Sequence, residues 1–172
     1  MGQQSVSQKA TREPVDTRPE ATARVLKGAS LFLTQNDFLW LPEFRVKSGR
    51  RMDLLGLSPK VQFWTLEIKS SVEDFRVDNK WPEYLDYCDL FSFAVSPDFP
   101  TEILPNDVGI VITDGYEAFE KRKPLKTAGL SGGARKSLLI RFGRTAASRA
   151  ARASNELLAL GEALSLDTDP QS

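Results

Sequence analysis

Behind Pro19 and Glu20, apolar residues recur at helical spacing through Ala21, Val25, Leu26, Ala29, Phe32 and Leu33, which predicts a helix opened by proline and running to about Asn36. The pattern then changes. Trp40 to Val46 and Arg51 to Leu57 read as strands joined by the turn Lys47-Ser48-Gly49-Arg50, and Ser58-Pro59-Lys60 turns the chain into a third strand, Val61 to Ser70. Lys80 to Asp89 has a helical pattern, Leu90 to Val95 and Val108 to Thr113 read as buried strands, and Ala134 to Leu160 forms a long helical run with Gly143 as a weak point. A meander followed by strands with a helix between them predicts an α/β fold with a central mixed sheet flanked by helices.

The chain has 172 residues, enough for one domain with a hydrophobic core. The expected organisation is a disordered segment over 1–18, a single domain over 19–163 and a flexible tail over 164–172. No apolar run reaches signal-peptide or membrane-span length, so a cytoplasmic location without membrane contact is expected. Histidine is absent, which removes His-based triads, His general bases and the usual zinc hydrolases; the single Cys88 removes a disulfide framework and reads as a small buried hydrophobe. Any chemistry falls to carboxylates and lysine. Net charge is zero, yet Thr65 to Glu120 carries thirteen acidic and three basic residues, whereas Lys121 to Asn155 carries ten basic residues and no acid.

Strand register brings the candidate chemistry together. With a turn centred on Lys60, paired positions sum to about 120, which sets Asp53 opposite Glu67, and period-two alternation puts Lys69 on the Glu67 face. A first turn near Ser48 gives sums of about 96 and sets Glu43 opposite Asp53. Carboxylates so close raise one another's pKa unless a cation compensates, and Mg2+ or Mn2+ is the expected cofactor. Charges within a strand as apolar as Phe63-Trp64-Thr65-Leu66 need a reason.

Asp53 followed by Glu67-Ile68-Lys69 resembles the signature of the PD-(D/E)XK nuclease superfamily, with Met52 where that signature has proline. Gly49-Arg50-Arg51-Met52-Asp53, Glu67 to Phe75, Lys80-Trp81-Pro82-Glu83-Tyr84 and Phe93 to Pro100 are similar to the MmcB family of bacterial DNA repair proteins over about residues 20–160. The resemblance implies a restriction-endonuclease-like core in which Asp53, Glu67 and the Ile68 carbonyl hold the metal and Lys69 positions or deprotonates water. Glu43, from the register, and Glu20, from the superfamily, are further candidate ligands. Where the RecB-like branch has Gln-x-x-x-Tyr, this chain has Lys80-x-x-x-Tyr84. Tyr84 and Trp81 read first as packing residues, Asp74, Asp78, Glu83, Asp86 and Asp89 as a solvated face, and Asp114-Gly115 as a turn.

For DNA, Arg141, Arg144, Arg149 and Arg152 fall on one side of the last helix, with Leu139, Phe142, Ala146, Ala150, Leu157 and Leu160 mainly on the other. Such a stripe reads equally as a phosphate-binding face or as ordinary solvated surface. Arg45, Lys47, Arg50 and Arg51 cluster at the first turn. The leading expectation is a metal-dependent DNA endonuclease acting in repair, with DNA and other repair proteins as partners and a homodimer to cut both strands. A non-catalytic DNA-binding or recruitment module is the alternative, and a protein-interaction domain using the acidic helix is the third.

Overall fold

The computed structural model describes residues 17–78 and 80–166; the segment expected to be disordered falls almost wholly outside these, as does the tail from Asp167. Helix α1 (Arg18–Gln35) leads into β1 (Leu39–Arg45), β2 (Arg51–Leu57) and β3 (Phe63–Lys69), then the short helix α2 (Val72–Val77) and a 3-10 helix, Trp81–Tyr87. Strand β4 (Leu90–Val95), a 3-10 turn Thr101–Ile103, β5 (Gly109–Thr113), β6 (Ala118–Arg122), β7 (Leu125–Lys126) and α3 (Gly132–Leu166) follow. The strands form one seven-stranded sheet in the order β1-β2-β3-β4-β5-β6, with β7 pairing β4 off that path. β3, β4 and β5 are parallel to one another and the remaining pairs are antiparallel, which is the expected mixed α/β arrangement.

Helix α1 covers one face. Val25, Ala29, Phe32 and Leu33 pack with Leu54, Trp64, Leu66, Ile68 and Val111. Gly28 lies so close to β5 that an added Cβ would stand 1.7 Å from the Thr113 hydroxyl oxygen. The other face is covered by α3 and the 3-10 helix, through Leu138, Phe142 and Tyr84 against Phe44, Phe63, Phe91 and Phe93. Aromatic contacts organise this layer: Trp81 stacks on Phe91 with centroids 5.3 Å apart, and Phe142 meets Phe44 at 5.9 Å.

Several expectations change at this level. The segment after Lys80 is a 3-10 helix rather than an α-helix, and α2, β6 and β7 join the expected elements. Helix α3 extends to Leu166, and its apolar side is only partly used. Phe142 is buried and Ala146 partly so, while Leu139, Leu157 and Leu160 are exposed. Length is the reason: 35 residues at a rise of 1.5 Å give a rod of about 52 Å, whereas six strands spaced by about 4.8 Å put the outermost two only about 24 Å apart.

Candidate active site

The β1–β2 pairs run from Leu39↔Leu57 to Arg45↔Arg51 and the β2–β3 pairs from Leu57↔Phe63 to Leu54↔Leu66, the registers that the two turns predict. Ladder pairing stops short of Asp53. There the Asp53 carboxylate accepts the backbone N–H of Ile68 at 2.8 Å, a side chain standing in for the next rung. Glu43, across β1, has a left-handed backbone at φ 51°, uncommon for a residue with a side chain. Around this point alternation slips: Leu41 and Phe44 reach the same core, as do Met52 and Leu55. The strands are therefore irregular where the acids gather.

Asp53, Glu67 and Lys69 line a cleft of about 440 Å³ at the end of β3. Glu67 and Lys69 are only 4% and 3% exposed. The Lys69 ammonium donates to Asp78 at 2.5 Å and to Glu67 Oε1 at 3.3 Å. Burial disfavours its charge, but Glu67 and Asp78 outweigh that and raise its pKa, so Lys69 is held as a cation. Glu67 Oε2 is buried and lacks any hydrogen-bond partner. Burial, followed by the neighbouring Asp53 charge, pushes the Glu67 carboxyl up to about 8. Burial also raises Asp53, against the opposing pull of the Ile68 N–H and Lys69.

Five residues line this cleft that the expected site lacked: Thr22, Ser70, Asp74, Val77 and Asp78. Of these, Asp74 and Asp78 are acids expected on a solvated face. A signal for α2 existed: Ser71-x-x-Asp74 has capping spacing, and the Ser71 hydroxyl oxygen accepts the Asp74 N–H at 3.1 Å. Thr22 reaches the Ser70 hydroxyl at 2.9 Å from α1. No comparable local pattern marked Asp78, whose place depends on the loop after α2.

Other candidates are drawn elsewhere. The Glu20 carboxylate accepts the Thr17 N–H at 2.8 Å as a helix cap, a hydrogen bond that holds its pKa below the ordinary value. Glu43 pairs with Arg51. Neither lines the cleft, and among the described residues no three histidine, cysteine or carboxylate side chains are grouped so as to hold a metal ion. Tyr84 is buried and donates to the Arg51 carbonyl at 3.0 Å, as a packing residue would, yet it and Lys80 also form part of the cleft wall. In the first-turn cluster, Arg50 forms a two-pronged pair with Glu83 at 2.7 and 2.8 Å, and Arg45 reaches the Gly49 carbonyl at 3.4 Å. Lys47 sits with Arg141 beside a separate cavity at the start of α3. Asp114 caps its turn by accepting the N–H groups of Tyr116 and Glu117, both at 2.8 Å.

Residues 10–157 match the family described as DNA repair protein MmcB-like. The chain belongs to that family. The family's description carries DNA repair with it, and so DNA as the expected partner class. Among solved structures, the chain is similar to the SPO1766 protein of unknown function from Silicibacter pomeroyi: 37% identity, TM-score 0.71, covering 75% of this chain and 88% of the other. The comparison with curated proteins finds no match. No described helix is long and apolar enough to cross a membrane.

Proposed function

We propose that this MmcB-like protein is a metal-dependent endonuclease acting on DNA in repair, built on a restriction-endonuclease-like PD-(D/E)XK core. One observation carries the reading: Glu67 Oε2 is buried beside Asp53 without a partner, in a cleft that also holds a cationic lysine. An unmatched carboxylate oxygen in such a place is costly to the free protein. A hard divalent cation fits it, since oxygen donors are what Mg2+ and Mn2+ prefer. Asp53, Glu67 and the Ile68 carbonyl would hold the ion; when bound, it supplies positive charge at the phosphate and makes a water more acidic.

The chain's own residues would do the remainder. Asp53, fixed by the Ile68 N–H, orients its carboxylate toward the cleft end of β3. Lys69, kept charged by Glu67 and Asp78, is better suited to stabilising negative charge on a phosphate than to removing a proton. Tyr84 walls the cleft below Lys80, whose exposed ammonium offers a contact to a flanking phosphate.

The test is cleavage of duplex, flapped, branched and single-stranded DNA with saturating Mg2+ or Mn2+. Asp53→Ala should lower the rate about a hundredfold or more, the range in which one catalytic group usually acts. No cleavage of any substrate, with Asp53→Ala indistinguishable from the parent, would sink the proposal. The clamping of Lys69 between two carboxylates favours a second reading, a non-catalytic DNA-binding module. That reading predicts salt-dependent DNA binding that needs no metal and survives Lys69→Ala.

A further inference from the structure

A groove of about 580 Å³ runs along one face of α3, lined by Arg141, Arg144, Arg149 and Arg152 with the hydroxyls of Ser137 and Ser148 among them. We infer that this groove is a binding track for the sugar-phosphate backbone of duplex DNA, leading toward the cleft at Asp53 and Glu67.

Charge is the first support. Three arginines elsewhere in the fold are matched by acids, Arg50 with Glu83, Arg51 with Glu43 and Arg135 with Asp89, while Arg45 and Arg122 are held by backbone carbonyls. Among the described residues, Arg141, Arg144 and Arg152 have no carboxylate partner, and no acid lines the groove. Arg141 and Arg144 are three positions apart, as are Arg149 and Arg152, a spacing at which like charges on a helix repel. An ordinary solvated helix interleaves acids at this spacing; here none occurs from Lys121 to Asn155. The free protein thus carries a repulsion that a polyanion relieves.

Geometry is the second. Arg141 to Arg152 spans about 16 Å of helix, enough to lie along four or five base-pair steps at about 3.4 Å of duplex axis per step. The groove has no aromatic side chain, and so no stacking platform of the kind that holds single strands. Arg149 is anchored rather than free, donating to the carbonyls of Pro42 at 2.7 Å and Glu43 at 3.3 Å. It fixes this end of the groove against β1. From there Glu43 pairs with Arg51, whose carbonyl takes the Tyr84 hydroxyl at the cleft wall. Only one strand spacing, about 5 Å, separates β1 from β2 and Asp53.

The inference rests on the nuclease proposal only for where the duplex leads; binding in the groove needs no metal. The test is anisotropy of a labelled duplex with the full-length chain in EDTA. Replacing the exposed Arg141, Arg144 and Arg152 together by Gln should weaken binding at least about tenfold at low salt. It should also reduce the slope of log affinity against log salt by about 2.7, three phosphates at about 0.9 each. Lysine at the same three positions should restore the slope, and Lys60→Gln, beyond the groove, should change neither value. Parent-like affinity and slope in the triple Gln variant, with an unchanged thermal midpoint, would overturn the inference, as would equally tight binding of a single strand. Cleavage with Mg2+ and anisotropy in EDTA are read apart: Asp53→Ala should lower the first about a hundredfold or more and the triple Gln variant should weaken the second, so failure of the cleft and failure of the groove are distinguishable.

Discussion

Strand β3 holds a charge cluster at each end, and the two are built on opposite principles. At its start, the Phe63 N–H donates to Asp89 at 2.8 Å, and Arg135 grips the same carboxylate at 2.6 and 2.7 Å while donating to the Val61 carbonyl at 2.7 Å. The Asp89 pKa is lowered: partial burial would raise it, but Arg135 and the Phe63 N–H prevail. At the far end, Glu67 keeps one oxygen unmatched although a lysine lies beside it, and its carboxyl rises to about 8. A cluster that satisfies every acceptor locks the fold. One that leaves an acceptor over carries an uncompensated desolvation cost, and on the proposal above a cation would offset it.

The sharpest way to break that comparison is to neutralise each end in turn. Glu67→Gln should lower DNA cleavage about a hundredfold or more while thermal stability at pH 8 stays level or rises, because the orphaned charge is gone. A loss of stability instead would make Glu67 a structural acid like Asp89. Next in size is the lock. Asp89→Ala or Arg135→Ala should each destabilise the fold by about 2–3 kcal/mol, less than a fully buried pair because both groups are partly exposed. Urea unfolding should show the double variant little worse than either single one, since both remove one interaction.

The two ends should also answer pH in opposite senses. Between the ordinary value of 4.5 and about 8, folded Glu67 keeps a proton that the unfolded chain has released, so its contribution falls as pH rises through that window. For Asp89, lowered from 3.8, the contribution is complete above that value and is lost as pH falls below it. Melting in EDTA from pH 5 to 8 should show the decline in the parent and a flatter profile in Glu67→Gln; Mg2+ at pH 8 should restore the parent alone. The smallest effect belongs to Arg50→Ala, whose pair with Glu83 is exposed, and urea should show no resolvable change in midpoint.

Much of the cleft was legible because it depends on local rules. Two short turns set two registers, and alternation put Glu67 and Lys69 on one side; the observed pairs keep those sums. What escaped was the fate of individual carboxylates. Glu20 turned back to cap its own helix and Glu43 turned to Arg51, whereas Asp78 came in from a loop to hold Lys69. The arginine stripe was visible as a pattern, but the tethering of Arg149 to Pro42 and Glu43 was not.

By itself, the sequence determined the elements with strong periodicity, the two hairpin registers, the exclusion of histidine chemistry and the pairing of Asp53 with Glu67-Ile68-Lys69 near one strand end. These follow from period, turn chemistry and composition, which act over a few residues. Tertiary structure alone decided which acids found cations, which oxygen was left without one, and how far α3 outran the sheet. Those outcomes turn on contacts beyond the reach of strand period or turn rules, Lys69 with Asp78 through the loop after α2 or Arg149 with Pro42 across most of the chain, and on how deeply each is removed from water.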